Sequence, residues 1–282
     1  DISISSLELL KGESANIWVT VKNEGTEQER FNLTCYYNNE TLDFREDIIL
    51  DPGANTTVRF ILNTTTLNPG YYVISAKVST VLGEKDTDDN EMIDGIVRII
   101  DFPKANFTYQ PLQPLVGEQI LFNASSSKPN GGSIVKYEWN FGDGELDEGI
   151  VVYHIYNEPG TYNVTLTVID DENLSDTSWS MIRVFTHDIA VLDVLPSKSE
   201  VFETNVVNIT VIVKNEGDFK ESFDVSVSIN GTCIQTKSVT LLPGEKATII
   251  FTWDTTEFSG IYNISAHADI LPGEVDESDN FM

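Results

Sequence analysis

Hydrophobic and polar residues alternate in short runs along almost the whole chain, and Gly, Pro, Asn and Asp break the runs. Because successive side chains of a strand point to opposite faces of a sheet, this pattern predicts half-buried β-strands. In the first and last thirds of the chain it predicts strands over residues 31–37, 44–50, 56–62, 72–80, 92–100, 207–213, 223–229, 234–241, 247–253 and 262–268. Many short strands of this kind are typical of all-β sandwiches.

Two copies of one module flank a different segment. Val21-Lys22-Asn23-Glu24-Gly25 recurs as Val213-Lys214-Asn215-Glu216-Gly217, and a Leu-x-Pro-Gly turn, a Gly-x-Tyr motif and an acidic Asp-Asn tail follow in both copies in the same order. The repeat predicts three tandem β-sandwich domains over residues 1–101, 102–186 and 187–282.

The two copies differ after the acidic tail. A strand over residues 92–100 follows Asn90, whereas the second copy reaches Met282 two residues after Asn280. We therefore expect the final strand of the third domain to be missing. The chain would then be a fragment of a longer protein, or a neighbour would supply that strand to the open edge.

The middle segment carries the most specific motif. Tyr137-Glu138-Trp139-Asn140-Phe141-Gly142-Asp143-Gly144 is followed by a run that contains His154 and Tyr162. This segment resembles the polycystic kidney disease (PKD) domain, an immunoglobulin-like sandwich of extracellular proteins. The alternation places Trp139 in the core, and Gly142-Asp143-Gly144 is a turn that needs glycine's backbone freedom. The resemblance implies a structural hydrogen bond for His154.

The flanking copies resemble the CARDB domain, a cell-adhesion-related sandwich of bacterial and archaeal surface proteins. The fold class is thus three tandem immunoglobulin-like β-sandwiches. All three domains share Gly-x-Tyr before a strand, with Tyr72, Tyr162 and Tyr262. We expect each tyrosine to form a tyrosine corner, in which the hydroxyl ties a loop to the sandwich.

Charge and hydropathy limit the partners. The net charge is −28 and the pI about 4.2, so nucleic acid and anionic lipid would be repelled. No apolar run is long enough to insert into a membrane. Polysaccharide, other surface-protein subunits and further domains of the same chain remain as partners. Cys35 and Cys233 occupy unrelated positions of the repeat, which predicts two unpaired, buried thiols.

Asn-x-Ser/Thr triplets are more frequent than chance. Roughly four are expected from composition, whereas the chain has eleven, which predicts heavy N-glycosylation and an archaeal surface or secreted protein. A strand with Asn and Thr facing water around one apolar residue spells the same triplet without any glycan. The eleven asparagines are Asn32, Asn39, Asn55, Asn63, Asn106, Asn123, Asn163, Asn173, Asn208, Asn230 and Asn263.

Acidic clusters are the candidates for a cofactor, which would be Ca²⁺. Several carboxylates on one loop suit a cation that takes six to eight oxygen ligands, although a solvated acidic loop has the same composition. The candidate ligands are Asp86, Asp88, Asp89, Asp143, Asp276 and Asp279. Where PKD domains often carry an acidic loop, this chain has Ser127-Lys128-Pro129-Asn130, which weakens the case for calcium in the middle domain.

Catalytic motifs are not found in the sequence. The three histidines fall in different domains or linkers, and neither a Gly-x-Ser-x-Gly elbow nor an HExxH motif occurs. We therefore expect no enzymatic activity in these residues.

Two functions fit the sequence. The first is a structural or adhesive segment of a glycosylated extracellular protein, such as a surface layer, filament or stalk. The alternative is a non-catalytic accessory or carbohydrate-binding region of a secreted hydrolase. A carbohydrate-binding surface predicts exposed aromatic rings, and the candidates are Trp18, Tyr36, Trp179 and Trp253.

Overall fold

The computed structural model describes residues 1–202 and 205–282, and the secondary structure of these residues consists of β-strands. No helix within them is long and apolar enough to cross a membrane. The described chain forms two compact units. One comprises residues 1–106, 126–137 and 167–177, and the other comprises residues 107–125, 138–166 and 178–282.

The first domain contains two sheets. One has the order β1-β3-β6, and the other has the order β2-β8-β7-β4-β5. The eight strands are β1 (Ile2–Ile4), β2 (Glu8–Leu10), β3 (Ser14–Lys22), β4 (Glu29–Tyr37), β5 (Glu40–Leu50), β6 (Asn55–Asn63), β7 (Gly70–Val78) and β8 (Glu91–Ile100). The core lies between the sheets, where Ile17, Leu33 and Leu62 are fully buried.

The middle domain also contains two sheets, with the orders β13-β10-β9 and β12-β11-β14-β15. Its strands are β9 (Thr108–Gln110), β10 (Gln119–Asn123), β11 (Ile134–Asn140), β12 (Leu146–Glu148), β13 (Val151–Ile155), β14 (Gly160–Asp170) and β15 (Ser175–Val184). Val164, Leu166 and Val168 are buried, as their alternation along β14 predicts.

The third domain repeats the first, with sheets β16-β17-β20 and β19-β18-β21. Its strands are β16 (Ile189–Pro196), β17 (Val206–Asn215), β18 (Glu221–Ile229), β19 (Thr232–Leu241), β20 (Lys246–Asp254) and β21 (Ile264–Ala268). Residues beyond β21 return to it, since Ala266 and Met282 exchange both backbone hydrogen bonds and Ala268 N–H donates to the Asn280 carbonyl. The chain therefore begins to pair with β21 after its acidic tail, as β8 pairs with β7.

The predicted fold class is confirmed, and the strands predicted in the outer domains are present. Asn230 and Gly231 both have positive φ, as the tight hairpin turn between β18 and β19 requires. The cysteine prediction was partly wrong. Both thiols are free, but only Cys35 is buried and Cys233 is exposed. Cys233 follows the hairpin turn at the start of β19, where its side chain reaches the solvent face.

The repeated Val-Lys-Asn-Glu-Gly block closes the end of a strand through its asparagine. Asn215 is fully buried, and its Nδ2 donates to the carbonyls of Phe219 at 2.6 Å and Leu241 at 3.1 Å, while Oδ1 accepts from Gly217 N–H. Asn23 makes the corresponding three hydrogen bonds in the first domain. The block thus fixes the turn after the strand against the Leu-x-Pro-Gly turn.

The three tyrosine corners are confirmed. The hydroxyl of Tyr72 donates to the Asn68 carbonyl at 2.8 Å, and that of Tyr162 donates to the Glu158 carbonyl at 2.8 Å. Tyr262 makes the same kind of bond one residue closer, to the Ser259 carbonyl at 3.1 Å. Each bond ties the loop before a strand to the sandwich.

Candidate functional site

The Gly142-Asp143-Gly144 motif of the middle domain builds a tight turn just after the end of β11. Gly142 and Gly144 both have positive φ, at 83° and 104°. A Cβ on Gly142 would lie 2.8 Å from the Asn163 carbonyl oxygen, so this position also needs the absence of a side chain. Between them, Asp143 Oδ1 accepts from the Glu145 N–H at 3.0 Å.

Asp143 is held by His154 rather than left open for a ligand. Its Oδ2 lies 2.7 Å from His154 Nε2, and the imidazole stacks on Phe141 with the ring centroids 4.0 Å apart. Burial alone would raise the pKa of Asp143, but the hydrogen bonds from Glu145 N–H and His154 together hold that pKa below its usual value. His154 thus makes a hydrogen bond of the kind that the resemblance implies, and its structural role stays a prediction.

Tyr156 completes this cluster, although the sequence did not single it out. It is almost fully buried, its hydroxyl donates to the Phe141 carbonyl at 2.8 Å, and its ring stacks on Tyr162 at 4.0 Å. The signal for it was present, because His154 and Tyr156 alternate along the strand and its continuation. Trp139 is buried as predicted and donates from Nε1 to the Gly149 carbonyl. The cluster is therefore a packing unit of the domain.

In the acidic tails of the two outer domains, Asp86, Asp88, Asp89 and Asp276 are exposed, whereas Asp279 is half-buried. Asp86 Oδ1 accepts from the Asp88 N–H, and Asp89 is exposed. In the other copy Asp276 accepts from Ser278, whose hydroxyl and N–H hold the pKa of Asp276 below its usual value. Across residues 1–202 and 205–282, no three His, Cys, Asp or Glu side chains converge as metal ligands do. Calcium binding at these loops stays a prediction.

Asp188 introduces an electrostatic feature that the sequence did not predict. Burial, followed by the neighbouring carboxylates of Asp279 and Glu274, raises the pKa of Asp188 to about 6. Burial also raises the pKa of Asp279, with Asp276 next in effect. One carboxylate oxygen of Asp188 and one of Asp279 are buried without a hydrogen-bond partner. Burial and the neighbouring carboxylates therefore disfavour the ionised form of Asp188 in the folded third domain.

The aromatic candidates for carbohydrate binding separate into different environments. Trp179, on β15, is 67% exposed. Trp18 and Tyr36 are half-buried, and Trp253 is buried against Phe258. The interpretation of Trp253 as a surface ring was wrong, because it shares the inner face of β20 with Phe251. Among the four candidates, Trp179 alone presents most of its ring to solvent.

The predicted glycosylation sites are accessible. Ten of the eleven asparagines are exposed, and Asn123 is half-buried. The side-chain oxygens of Asn32, Asn63 and Asn230 accept backbone hydrogen bonds. The strand explanation also holds for some triplets, since the middle residues Val164 and Ile209 are buried. Occupancy of the sites stays a prediction.

Comparison with known families identifies the three domains. The CARDB family model matches residues 2–93 and 186–280, which together make up more than half of the chain. The model of the PKD domain matches residues 102–184. The two CARDB matches correspond to the two copies of the repeat, and the PKD match corresponds to the segment between them.

The curated relatives include collagenases and a metalloprotease by name. Collagenase ColA of Clostridium perfringens (strain 13 / Type A) is 31% identical over 132 residues, which are 47% of this chain and 11% of the collagenase. Pre-pro-metalloprotease PrtV of Vibrio cholerae serotype O1 (strain M66-2) is 38% identical over 66 residues, 23% of this chain and 7% of the relative. The chain thus spans only a small part of the curated relatives that it matches.

A solved structure resembles the middle part in sequence. The PKD1 domain of the Vibrio cholerae metalloprotease PrtV is 34% identical, with a TM-score of 0.27, and the match covers 29% of this chain and 96% of that domain. The identification rests on the family matches and agrees with the repeated sandwich fold. The chain belongs to the CARDB family and carries a PKD domain between its two CARDB domains.

Proposed function

We propose that the chain is a non-catalytic accessory region of a larger extracellular hydrolase and that it holds the catalytic part of that protein near an insoluble substrate. The observation that carries this proposal is the size of the match to collagenase ColA, which covers 47% of this chain but 11% of the collagenase. Sandwich domains with their own cores can act as spacers and as binding surfaces without chemistry of their own.

Binding to an insoluble substrate tests the proposal directly. The chain is incubated with fibrillar collagen and, in parallel, with cellulose and chitin, and the bound fraction is measured after sedimentation. We expect retention on at least one of these, weakened about fivefold or more by Trp179→Ala, because the 67% exposed ring offers a stacking or apolar contact. Tyr71→Ala, which removes a 68% exposed ring from the first domain, is the control and should leave binding unchanged.

The proposal fails if the chain stays in the supernatant with every substrate. The complete gene provides a second criterion. A catalytic domain in the same reading frame supports the accessory role, and further sandwich domains with a surface anchor would favour a surface array instead.

The second candidate is a structural or adhesive segment of a glycosylated surface layer, filament or stalk, of archaeal origin. The exposure of ten of the eleven predicted glycosylation sites favours it. Its test is mass spectrometry of the peptides that carry these sites, released from the protein of its native source, whose mass should exceed that of the polypeptide by that of a glycan. A mass equal to that of the polypeptide would remove this support.

A further inference from the structure

The outer strand of one sheet in the middle domain is unpaired on one side. In the sheet β13-β10-β9, β13 pairs with β10 from Val151 to Ile155, and no strand of the described chain pairs with its other side. Unpaired N–H and C=O groups at the edge of a sheet can bind another strand. The free side of β13 is therefore a place where a strand can be added.

The hydrogen bonds to β10 show which backbone groups point to the free side. The Ala124 N–H donates to the Ile150 carbonyl at 2.8 Å, in continuation of the register of the two strands. Because hydrogen-bonded and non-hydrogen-bonded pairs alternate along antiparallel strands, every second residue after Ile150 also bonds to β10. The N–H and C=O groups of the residues between them, Val151, Tyr153 and Ile155, therefore point away from β10. We call these three residues the β13 edge.

The side chains of the β13 edge are apolar and exposed. Val151 is 47% exposed, Tyr153 57% and Ile155 42%, whereas Val152 and His154, which alternate with them, are buried. Natural proteins usually place charged residues or proline on a free strand edge, because these prevent association with another strand. The β13 edge has neither, which favours association at this point.

The whole sheet around this edge is uncharged. The strands β9, β10 and β13 contain no Asp, Glu, Lys or Arg, although these residues make up 22% of the chain. A strongly charged partner would find no opposite charge on these strands. Two copies of this chain, each with a net charge of −28, would repel each other least where their surfaces are uncharged. The partner that this surface fits best is therefore the same surface of a second copy.

The β13 edge is complementary to itself under two-fold symmetry. When two copies of β13 run antiparallel with Tyr153 opposite its own counterpart, Val151 of each copy lies opposite Ile155 of the other. The opposed residues can then exchange their backbone hydrogen bonds, because their N–H and C=O groups already point to the free side. Their side chains form aliphatic and aromatic pairs on one face, and such pairs stabilise neighbouring strands. The contact closes the free edge of both copies at once.

We propose that two copies of the chain associate through the β13 edge, antiparallel and centred on Tyr153, so that β13 of one copy continues the sheet of the other. The contact is shorter than the interfaces of stable dimers, so the dimer should be weak, with a dissociation constant of about 0.1 mM.

Sedimentation equilibrium of the full chain, produced in a host that adds no N-glycans, tests the proposal. The unglycosylated protein is used because Asn123 lies opposite Val151, where a glycan would lie beside the edge. In about 0.3 M NaCl, where a Debye length of about 6 Å screens the net charge, we expect a monomer–dimer equilibrium. A single monomeric species up to about 0.5 mM would overturn the proposal.

Substitution at the centre of the contact tests the register. Tyr153→Lys alone and Tyr153→Glu alone should each weaken the dimer about fivefold or more, because each places like charges opposite each other at the two-fold axis. An equimolar mixture of the two variants should restore a mixed dimer, since the opposed side chains then carry opposite charges. This recovery would also show that both variants fold.

Met181→Lys is the matched control, because Met181 is an apolar residue, 52% exposed, on the outer strand β15 of the other sheet. It should leave the dimer unchanged. The proposal is overturned if Met181→Lys weakens the dimer as much as Tyr153→Lys does, if neither substitution of Tyr153 weakens it, or if the mixture of the two Tyr153 variants stays monomeric.

Discussion

At the scale of single residues, Gly142 combines two requirements that favour glycine. Its φ is positive, and a Cβ would lie 2.8 Å from a backbone oxygen. We expect Gly142→Ala to lower the free energy of unfolding of the middle domain by about 3 kcal/mol. Gly144→Ala is the matched control, because Gly144 has positive φ but nothing within 4 Å of its Cβ, and it should cost about 1 kcal/mol. Calorimetry of the full chain measures both, and equal losses would contradict the steric argument.

Replacement of Asp188 should raise the free energy of unfolding, whereas replacement of Gly142 should lower it. Its folded-state pKa of about 6 lies above the usual 3.8, so the folded state holds the proton more tightly than the unfolded state. Stability is therefore reduced as the pH rises from about 4 to about 6. Asp188→Asn should stabilise the third domain by about 1–2 kcal/mol at pH 7 and have little effect below pH 4.

The measurement is the urea denaturation midpoint at pH 4 and at pH 7, with Asp193→Asn, on the strand that directly follows Asp188, as the control. If Asp188→Asn changes the midpoint equally at pH 4 and pH 7, carboxylate repulsion is not the cause.

At the scale of elements, the asparagine after β3 or β17 anchors the strand end. Asn23→Ala would leave the carbonyls of Glu27 and Leu50 without their donor, and we expect a loss of about 2–3 kcal/mol in the first domain. Asn16→Ala, on β3 itself, should change stability by less than about 0.5 kcal/mol. Chemical denaturation checks both, and similar small losses would mean that water replaces the amide.

The sequence predicted elements best where apolar residues alternate over a long run. The strands that became β4 to β8 and β17 to β21 were predicted because hydrophobic and polar residues alternate along them. Short strands such as β9 (Thr108–Gln110) and β12 (Leu146–Glu148) carry no such signal, since three residues cannot show a period. Alternation also places Trp253 on the same face of β20 as the buried Phe251, so the sequence already argued against Trp253 as an exposed ring.

Site residues were predicted unevenly for a physical reason. The roles of Gly142 and His154 follow from local backbone and hydrogen-bond needs that a motif records. The raised pKa of Asp188 depends on contacts between segments far apart in the chain, such as those of Asp188 with Asp279 and Glu274. Such contacts appear only when the fold brings the segments together.

At the scale of the whole molecule, the segment between the second and third domains is held by side chains. Asp218 pairs with Arg183 and accepts from the Thr186 N–H at 3.1 Å. A Cβ on Gly217 would lie 2.7 Å from the Asp188 nitrogen, so the turn and the linker approach closely. We infer that this linker is restrained rather than freely flexible.

Limited digestion with trypsin tests this restraint, because trypsin cleaves after arginine. Asp218→Asn should speed cleavage after Arg183 about tenfold, since opening of the segment becomes easier by the energy of one charged hydrogen-bonded pair. Mass spectrometry identifies the fragment of residues 1–183. Glu200→Gln, an exposed carboxylate of the third domain, should leave the rate unchanged, and an unchanged rate in Asp218→Asn would show that the linker is restrained by other contacts.

The two thiols make the outer domains chemically distinguishable. Cys35 is sealed inside the first domain and burial raises its pKa to about 11, whereas Cys233 is exposed at the hairpin of the third domain. A maleimide dye added to the folded protein would therefore label one end of the chain without any engineered cysteine. The two similar outer domains can thus be told apart by their thiols. Fluorescence of the dye could then follow the unfolding or partner binding of the third domain alone.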